Sequence, residues 1–393
     1  MIICIKIKNF YSLREETVLD FTADISSRRN SYELEENILE YNGDKFVNLI
    51  GLFGGNAAGK SNIIKAIDFC RMLILHSHLS SGNTQFDFEP FKFQTGQPSE
   101  FYIDFVVEGV EYEYSFEIYD GKILSENLFH YPKKRKARVF SREKTNLYSY
   151  GKGLISRPTE IEASTGPQTL FLSRGSSMNR NLLQTVYRYF SDQVMTEVSS
   201  FNIGNLSRTC FESNRSLLLK ALEVGDSDIT DIRWDESSSG KARLLSYHRE
   251  NPSIAFDFDK EESEGTKRLF FILMGLLNMR HSDCTVFLDE FDLKLHLLLA
   301  HFVLDVVRAS KGMQMVFTSH NPTLIDTSRL RPEQIVFVTK RNDGSSEFIP
   351  LSDYEGIEKI PDIMKAYLQG RFDGVPYIGN IKSLKFTAGN EGA

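Results

Sequence analysis

Apolar and polar positions alternate along Ile2–Phe10 (IICIKIKNF), the period of a half-buried strand, and Thr17–Phe21 (TVLDF) supplies a second strand to pair with it. Phe46–Gly54 (FVNLIGLFG) reads as one buried strand ending in glycine. From Ser61 to Leu75 the period lengthens to that of a helix, with Ile63, Ile64, Ile67, Met72 and Leu75 among the apolar positions. Alternation then returns in EFYIDFVVEG, VEYEYSFEIY and KILSENLFHY, and the Glu-Gly-Val and Asp-Gly-Lys breaks between them are hairpin signals.

Residues 156–181 are polar and turn-rich, and helical patterns follow over Leu182–Val198 and Ser216–Val224. DITDIRW and RLLSYH read as strands flanking DESSSGK. From Ser263 the chain reads helix to about Met279, strand TVFLDE, helix LLLAHFVLDVVRAS, then strands MQMVFTS and QIVFVTK. Strand alternating with helix predicts an α/β fold with a largely parallel sheet covered by helices. The N-terminal strand, loop and helix join the same sheet, so one core is built from both ends of the chain. The predicted division is 1–155, 156–250 and 251–393.

Composition narrows the class. The 393 residues are 41% apolar and 25% charged, ordinary for a globular chain. No apolar run reaches a membrane-spanning length, and the first residues read as a strand and not a secretion signal. Cys4, Cys70, Cys210 and Cys284 are widely spaced, with no C-x-x-C, and His76 and His78 have no nearby cysteine. This fits free thiols in a reducing cytoplasm, with neither disulfides nor zinc. A net charge of −7 argues against a protein coated in nucleic acid, and leaves a local groove open.

The first chemistry-bearing motif is GGNAAGKS, Gly54 to Ser61, a full G-x-x-x-x-G-K-[ST] between a buried strand and an amphipathic helix. Gly54, Gly55 and Gly59 let the backbone curl, so the N–H groups of Gly55, Asn56, Ala57, Ala58, Lys60, Ser61 and Asn62 face phosphates. The helix N-terminus adds partial positive charge. Lys60 supplies a point charge to the β- and γ-phosphates, and Ser61 offers its hydroxyl to Mg²⁺.

VFLDEFD, Val286 to Asp292, is an apolar strand ending in carboxylates. Asp289 is the candidate for holding Mg²⁺, and Glu290 for polarising the attacking water. In FTSHNPTLID, His320 stands at the tip of a sheet strand, where α/β proteins place ligands, and is the candidate γ-phosphate contact. A second anion site is written into KEESEGTKRLF: Ser263 starts a helix, Gly265 allows close approach, and Thr266 follows, while Leu269, Phe270, Leu273, Leu276 and Leu277 anchor the helix.

Together the phosphate loop, SEGTKRL, VFLDEFDLKLH and FTSHNP resemble an ATPase of the ABC class. The nearer resemblance is to the branch holding the SMC, RecF and OLD proteins and the AAA-type ATPases of prokaryotic phage-defence operons. IKIKNFYSL, FLSRGSSMN, LLKALEVGDSDITDIRW and MKAYLQGRFDGVP are similar to segments of that branch. The resemblance implies an ABC-type P-loop NTPase head with a mixed sheet, an antiparallel β lobe and a helical insertion. It implies ATP and Mg²⁺ as ligands, hydrolysis of ATP, and two copies meeting face to face. Each ATP would then lie between the phosphate loop of one copy and Ser263, Gly265 and Thr266 of the other, with Asp292, in the D-loop-like segment, near the seam. This chain departs from the usual Ser-Leu-His-Pro of that segment, having Lys294, Leu295, His296 and Leu297. Gln94 is the candidate Q-loop residue, or a surface strand-end glutamine.

The basic stretch Lys133, Lys134, Arg135, Lys136, Arg138 reads either as a solvated edge or as a patch for nucleic acid or an acidic partner. No nuclease constellation follows Asn321. The resemblance therefore implies a sensor or regulator subunit working with a separate toxin or nuclease in antiphage defence, triggered by nucleic acid or a phage protein. The alternative is a RecF-like DNA-repair or DNA-binding ATPase. The long segment between Ser61 and Ser263 argues against a transporter subunit, and the lack of sustained heptads against SMC-type arms.

Overall fold

The computed structural model describes residues 1–24, 34–79, 88–196, 206–225, 227–236, 242–280 and 283–375. β1 (Ile2–Lys8) and β2 (Thr17–Asp20) pair antiparallel, as their alternation predicts. The single strand expected over Phe46–Gly54 is two. β4 (Asp44–Val47) closes a hairpin with β3 (Ile38–Tyr41), and β5 (Leu49–Phe53) enters a different sheet. The break falls at Asn48, a buried residue whose side-chain Nδ2 donates to Glu36 O at 2.8 Å and whose main-chain carbonyl accepts from Met315 N at 2.8 Å. A buried side-chain amide needs such a partner for its N–H, and reaching Glu36 turns the chain.

Helix α1 (Lys60–His76) follows the phosphate loop. Ile63, Ile64, Ile67 and Leu75 are buried, whereas Met72 faces outward at 39% exposure. The expected meander then forms from β6 (Ser99–Val107), β7 (Val110–Tyr119), β8 (Lys122–His130), β9 (Ala137–Glu143) and β10 (Leu147–Tyr150). With β1 beside β6 it makes a seven-stranded antiparallel sheet ordered β10-β9-β8-β7-β6-β1-β2.

Residues 156–181, expected as turns, contain α2 (Pro158–Ala163) and α3 (Phe171–Ser177). The buried run Leu170, Phe171, Leu172 drives this, and the buried Glu126 carboxylate accepts Phe171 N at 2.6 Å and Leu172 N at 3.0 Å. The helix expected to Val198 is α4 (Asn181–Arg188), followed by a wide turn and β11 (Val194–Thr196), while Val198 lies outside the described residues. Helix α5 (Arg208–Val224) starts well before the expected Ser216, because Ser207 caps it by accepting from Cys210 N at 3.1 Å.

Antiparallel β12 (Ile229–Glu236), β13 (Ala242–His248) and β14 (Phe256–Asp257) follow, then α6 (Phe258–Glu261) and α7 (Glu264–Met279). The last elements are β15 (Cys284–Leu288), α8 (Leu297–Arg308), β16 (Met313–Ser319), β17 (Ile335–Lys340), β18 (Ser346–Pro350) and α9 (Ile363–Leu368). The core sheet is ordered β11-β15-β16-β5-β17-β18, parallel except for β18. Both ends of the chain thus build one α/β core with a mixed sheet beside an antiparallel lobe, as expected.

Strand alternation divides the hydrophobic residues of the core sheet between two clusters. Ile50, Leu52, Phe287, Val316, Val336 and Val338 face α1 and the antiparallel lobe. Leu49, Phe53, Val286, Leu288, Met315 and Phe317 face the other way, toward α5, α7 and α8. The sheet is therefore covered on both faces, and the tips of its strands carry the polar residues that follow.

Candidate functional site

The loop from Gly54 to Ser61 leaves the tip of β5 and enters α1, so its backbone N–H groups gather at a helix N-terminus. Two glycines are required by contact. Gly59 has φ 102°, and a Cβ there would stand 1.9 Å from Ser346 Oγ and 2.5 Å from Ser12 Oγ. A Cβ on Gly54 would stand 2.2 Å from Val338 O. Ala57 also takes a positive φ, 60°. The loop is braced from behind: Ser346 Oγ donates to Ala58 O at 2.5 Å, Asn62 Nδ2 donates to Ser12 Oγ at 2.6 Å, and Gly55 N donates to Gly374 O at 2.8 Å. Asn56 and Ala57 stay exposed at the loop's outer curve.

Lys60 is buried, and Nζ donates to Gly54 O at 2.9 Å and Gly55 O at 3.1 Å. Both ring nitrogens of His320 lie within 3.3 Å of the same ammonium. Burial lowers the Lys60 pKa to about 8, with Asp289 and Glu290 pulling the other way.

The acids sit just past β15, which ends at Leu288 rather than running through Glu290. Asp289 Oδ1 accepts from Ser61 Oγ at 2.9 Å and from Thr318 Oγ1 at 2.5 Å. Glu290 has φ 43°, and its N–H donates to Thr318 Oγ1 at 2.8 Å. Its carboxylate lies 3.5 Å from His320 Nε2. Asp292 accepts from Ser319 Oγ at 2.9 Å, and burial raises its carboxyl above the usual range against that hydrogen bond. Arg268 Nη2, from α7, donates to the carbonyls of Asp289 and Glu290 at 3.2 and 3.1 Å. The consecutive residues Thr318, Ser319 and His320 therefore meet the carboxylates of Asp289, Asp292 and Glu290 in turn, and Thr318 also holds the Glu290 N–H.

Lys60, Ser61, Asp289, Glu290 and His320 thus share one locus, with Asp292 beside it. A lysine ammonium, a ring of backbone N–H groups, a hydroxyl touching a carboxylate and a second carboxylate near an imidazole can hold a polyphosphate and a small hard cation. Ser61 Oγ and Asp289 supply the oxygen donors that suit Mg²⁺, which takes few protein ligands and completes its shell with phosphate and water.

Ser263, Gly265 and Thr266 lie elsewhere on the fold. Ser263 caps α7: its Oγ accepts from Thr266 N at 3.0 Å and is 2.8 Å from Thr266 Oγ1. Gly265 packs on the D-loop-like segment, since a Cβ there would meet Lys294 O at 2.8 Å. Glu264 pairs with Lys267 at 2.5 Å and Lys294 at 2.8 Å, and these two lysines pull its carboxyl down to about 2. Among the described residues no hydrogen bond or ion pair links Ser263, Gly265 or Thr266 to the loop Gly54–Ser61. Leu269, Phe270, Leu273, Leu276 and Leu277 are buried, as the periodicity requires.

Gln94 Oε1 accepts from Arg14 Nε at 3.2 Å and its amide donates to Gln97 at 2.6 Å, in a turn ahead of β6. In the basic stretch, Lys134 donates to Asn42 O at 2.9 Å, Lys136 pairs with Glu113 and lies over Phe129, and Arg138 donates to Ser149 Oγ at 3.1 Å.

Sequence reasoning missed Ser12, Thr318, Ser319 and Ser346. Thr318 and Ser319 carried a signal, two hydroxyls closing an otherwise apolar strand directly before His320. Ser12 and Ser346 carried none.

The family model described as "AAA domain, putative AbiEii toxin, Type IV TA system" matches residues 49–147 and 206–326, more than half of the chain. No curated protein matches. Among solved structures the chain is similar to the SmcHead bound to the C-winged helix domain of ScpA, with 15% identity, 88% of this chain and 97% of that one covered, and a TM-score of 0.44. It is similar to the SMC head domain from Thermotoga maritima, with 14% identity, coverage of 89% and 98%, and a TM-score of 0.39. It is also similar to the Smc head domain with an extended coiled coil, bound to the C-terminal domain of ScpA, derived from Pyrococcus furiosus. There the identity is 13%, coverage 94% and 99%, and the TM-score 0.42.

Proposed function

The chain belongs to the AAA-domain family described as putative AbiEii toxin of type IV TA systems, and from that membership and the geometry above we propose that it binds and hydrolyses ATP with Mg²⁺. The observation that carries this reading is the meeting of Ser61, Asp289, Glu290, Lys60 and His320 at the tips of β5, β15 and β16. The backbone N–H groups of Gly55 to Asn62 cradle the β- and γ-phosphates, and Lys60 exchanges its loop carbonyls for phosphate oxygens. Ser61 and Asp289 hold the Mg²⁺ side. When bound, Mg²⁺ neutralises charge on the β- and γ-oxygens. Glu290 takes a proton from the attacking water, and His320 contacts the γ-phosphate and keeps Glu290 oriented. The products are ADP and phosphate.

Two copies close around ATP in this reading. Ser263, Gly265 and Thr266 present a helix N-terminus well anchored in its own lobe, and so suit a partner copy's γ-phosphate. Lys294 braces that start through Glu264, and Asp292 lies by the seam. ATP favours the closed pair because it touches both copies only there, and hydrolysis releases them.

The setting we propose is antiphage defence, with this chain as the ATP-dependent sensor or regulator of a toxin or nuclease subunit. The family description, which names a toxin–antitoxin system, supports it. The RecF-like alternative lacks that support from the family description; in its basic stretch Lys134, Lys136 and Arg138 bond within the chain, and all five basic residues are exposed. Steady-state ATP turnover of the purified chain, alone and with the product of a neighbouring gene, tests the reading. Turnover abolished in Lys60→Ala is the expected result, and a wild-type chain that binds no ATP with Mg²⁺ present overturns it.

A further inference from the structure

The hydroxyl of Thr318 touches both acids of the site, Asp289 at its carboxylate and Glu290 at its main-chain N–H. It is fully buried at the end of β16, beside β15 in parallel register with Phe317 opposite Leu288. Its single proton goes to Asp289 Oδ1 at 2.5 Å, and its oxygen accepts Glu290 N–H at 2.8 Å. One hydroxyl offers one donor and two acceptor positions, so both bonds form together. A third tie is main-chain: Phe291 N donates to Thr318 O at 3.4 Å.

The backbone gives this hydroxyl a task. Glu290 sits at φ 43°, a conformation that side chains other than glycine adopt rarely and that surrounding bonds must hold. The turn that carries it has no helix or strand of its own, because β15 ends at Leu288. The Glu290 N–H is held by Thr318, and its carbonyl by Arg268 and Leu293 N. Meanwhile Asp289 is aimed at Ser61 by the same Thr318 proton.

We propose that Thr318 is a positioning residue that sets the metal-side carboxylate of Asp289 and the water-activating carboxylate of Glu290 in fixed relation. The assignment rests on the ATPase reading above. Thr318 does not touch substrate; it acts through the two acids. Losing its hydroxyl frees Asp289 to rotate from Ser61 and lets the Glu290 backbone leave its left-handed conformation. Both shifts penalise the transition state more than nucleotide binding, which rests on the loop Gly54–Asn62.

The test compares Thr318→Ser with Thr318→Ala in the full chain, since the pair differ by one oxygen. Thr318→Val adds a variant of native shape, and thermal unfolding of all three checks the fold. The readouts are kcat and KM for ATP, the Mg²⁺ concentration giving half-maximal turnover, and binding of a fluorescent ATP analogue in EDTA and in Mg²⁺. Thr318→Ser is expected to stay within about threefold of wild type throughout. Thr318→Ala is expected to lose on the order of tenfold or more in kcat and to need more Mg²⁺, while binding in EDTA changes by less than about threefold. Equal kcat and Mg²⁺ dependence in the Ser and Ala variants overturns the assignment and leaves the ATPase reading standing. So does a Ser variant as damaged as Ala, which would make the role one of packing by the methyl group. A wild type that neither binds nor hydrolyses ATP overturns the ATPase reading itself.

Discussion

Lys60 Nζ stands 3.2 Å from His320 Nε2 while also donating to the carbonyls of Gly54 and Gly55, so the ammonium is folded back onto its own loop. Burial already lowers its pKa to about 8. Phosphate oxygens favour the charged form, so nucleotide binding raises this pKa and takes up a proton where the free lysine is partly neutral. We expect proton uptake at about pH 8.5 and ATP affinity that falls as pH rises from about 7.5 to 9.5, by at most tenfold per pH unit. Calorimetry in buffers of different ionisation enthalpy reads the uptake, and Lys60→Met is expected to abolish it. Stability runs in the opposite sense. The unfolded lysine holds its proton up to its ordinary value of 10.5, so between about 8 and that value the Lys60 contribution to stability grows with pH.

The phosphate loop's tightest contact gives a second expectation. Gly59 and Gly344 both have positive φ, 102° and 84°, but a Cβ at Gly344 meets nothing within 4 Å, whereas one at Gly59 runs into Ser346 and Ser12. Gly344→Ala should therefore cost about 1–2 kcal/mol, the strain of a left-handed alanine. Gly59→Ala adds displacement of two serines that brace Ala58 and Asn62, so it should lower the melting temperature further and weaken ATP binding, which Gly344→Ala should leave unchanged. Equal melting temperatures for the two would refute the bracing role of Ser12 and Ser346.

Much of the fold was legible because its signals are local. The loop Gly54–Ser61 lies in one stretch, and each strand of the meander alternates along its own length. The failures trace to partners distant in sequence. β11 is only Val194–Thr196, and what makes it a strand is its parallel pairing with Thr285–Phe287, so its pattern passed for the end of a helix. Asn48 splits an apolar run by finding Glu36 and Met315. At the site, residue types were readable and couplings were not: Ser12 meets Ser346 at 2.6 Å across most of the chain, and Thr318 reaches Asp289 only through the β15–β16 register. In the proposed two-copy reading Ser263 faces a phosphate held by a partner, a relation that lies outside a single chain.

The lobe-to-insertion seam should be the costliest place to lose a charge. Glu126 and Arg142 are both fully buried, 3.8 Å apart, and Glu126 also accepts from Tyr114 OH at 2.9 Å and from the first N–H groups of α3. Arg142 in turn donates to Thr145, Thr169 and Gly166 carbonyls at 2.6, 2.7 and 3.1 Å. Removing one partner strands the other's charge, so Glu126→Ala should cost about 3–5 kcal/mol by denaturant unfolding. The double change with Arg142→Met should cost less than the sum of the singles. Strict additivity would mean that the two ions do not depend on each other.

The two-copy reading is tested by dividing its halves between molecules. Lys60→Ala disables the phosphate loop, and Ser263→Arg disables the helix start presented to a partner. The second change also removes the cap on Thr266 N, at about 0.5–2 kcal/mol, so unfolding must be followed alongside activity. Each variant alone should be inactive. In a mixed pair, one ATP site collects both lesions and the other has an intact Lys60 facing an intact Ser263. Mixing should therefore restore turnover toward about a quarter of wild type if pairing is random and each site of the pair works alone. Glu290→Gln supplies the companion measurement: it should bind ATP, hydrolyse at least about a hundredfold more slowly, and raise the mass seen by light scattering only with nucleotide. Inactive mixtures together with a Glu290→Gln chain that stays monomeric in ATP would refute a site shared between copies.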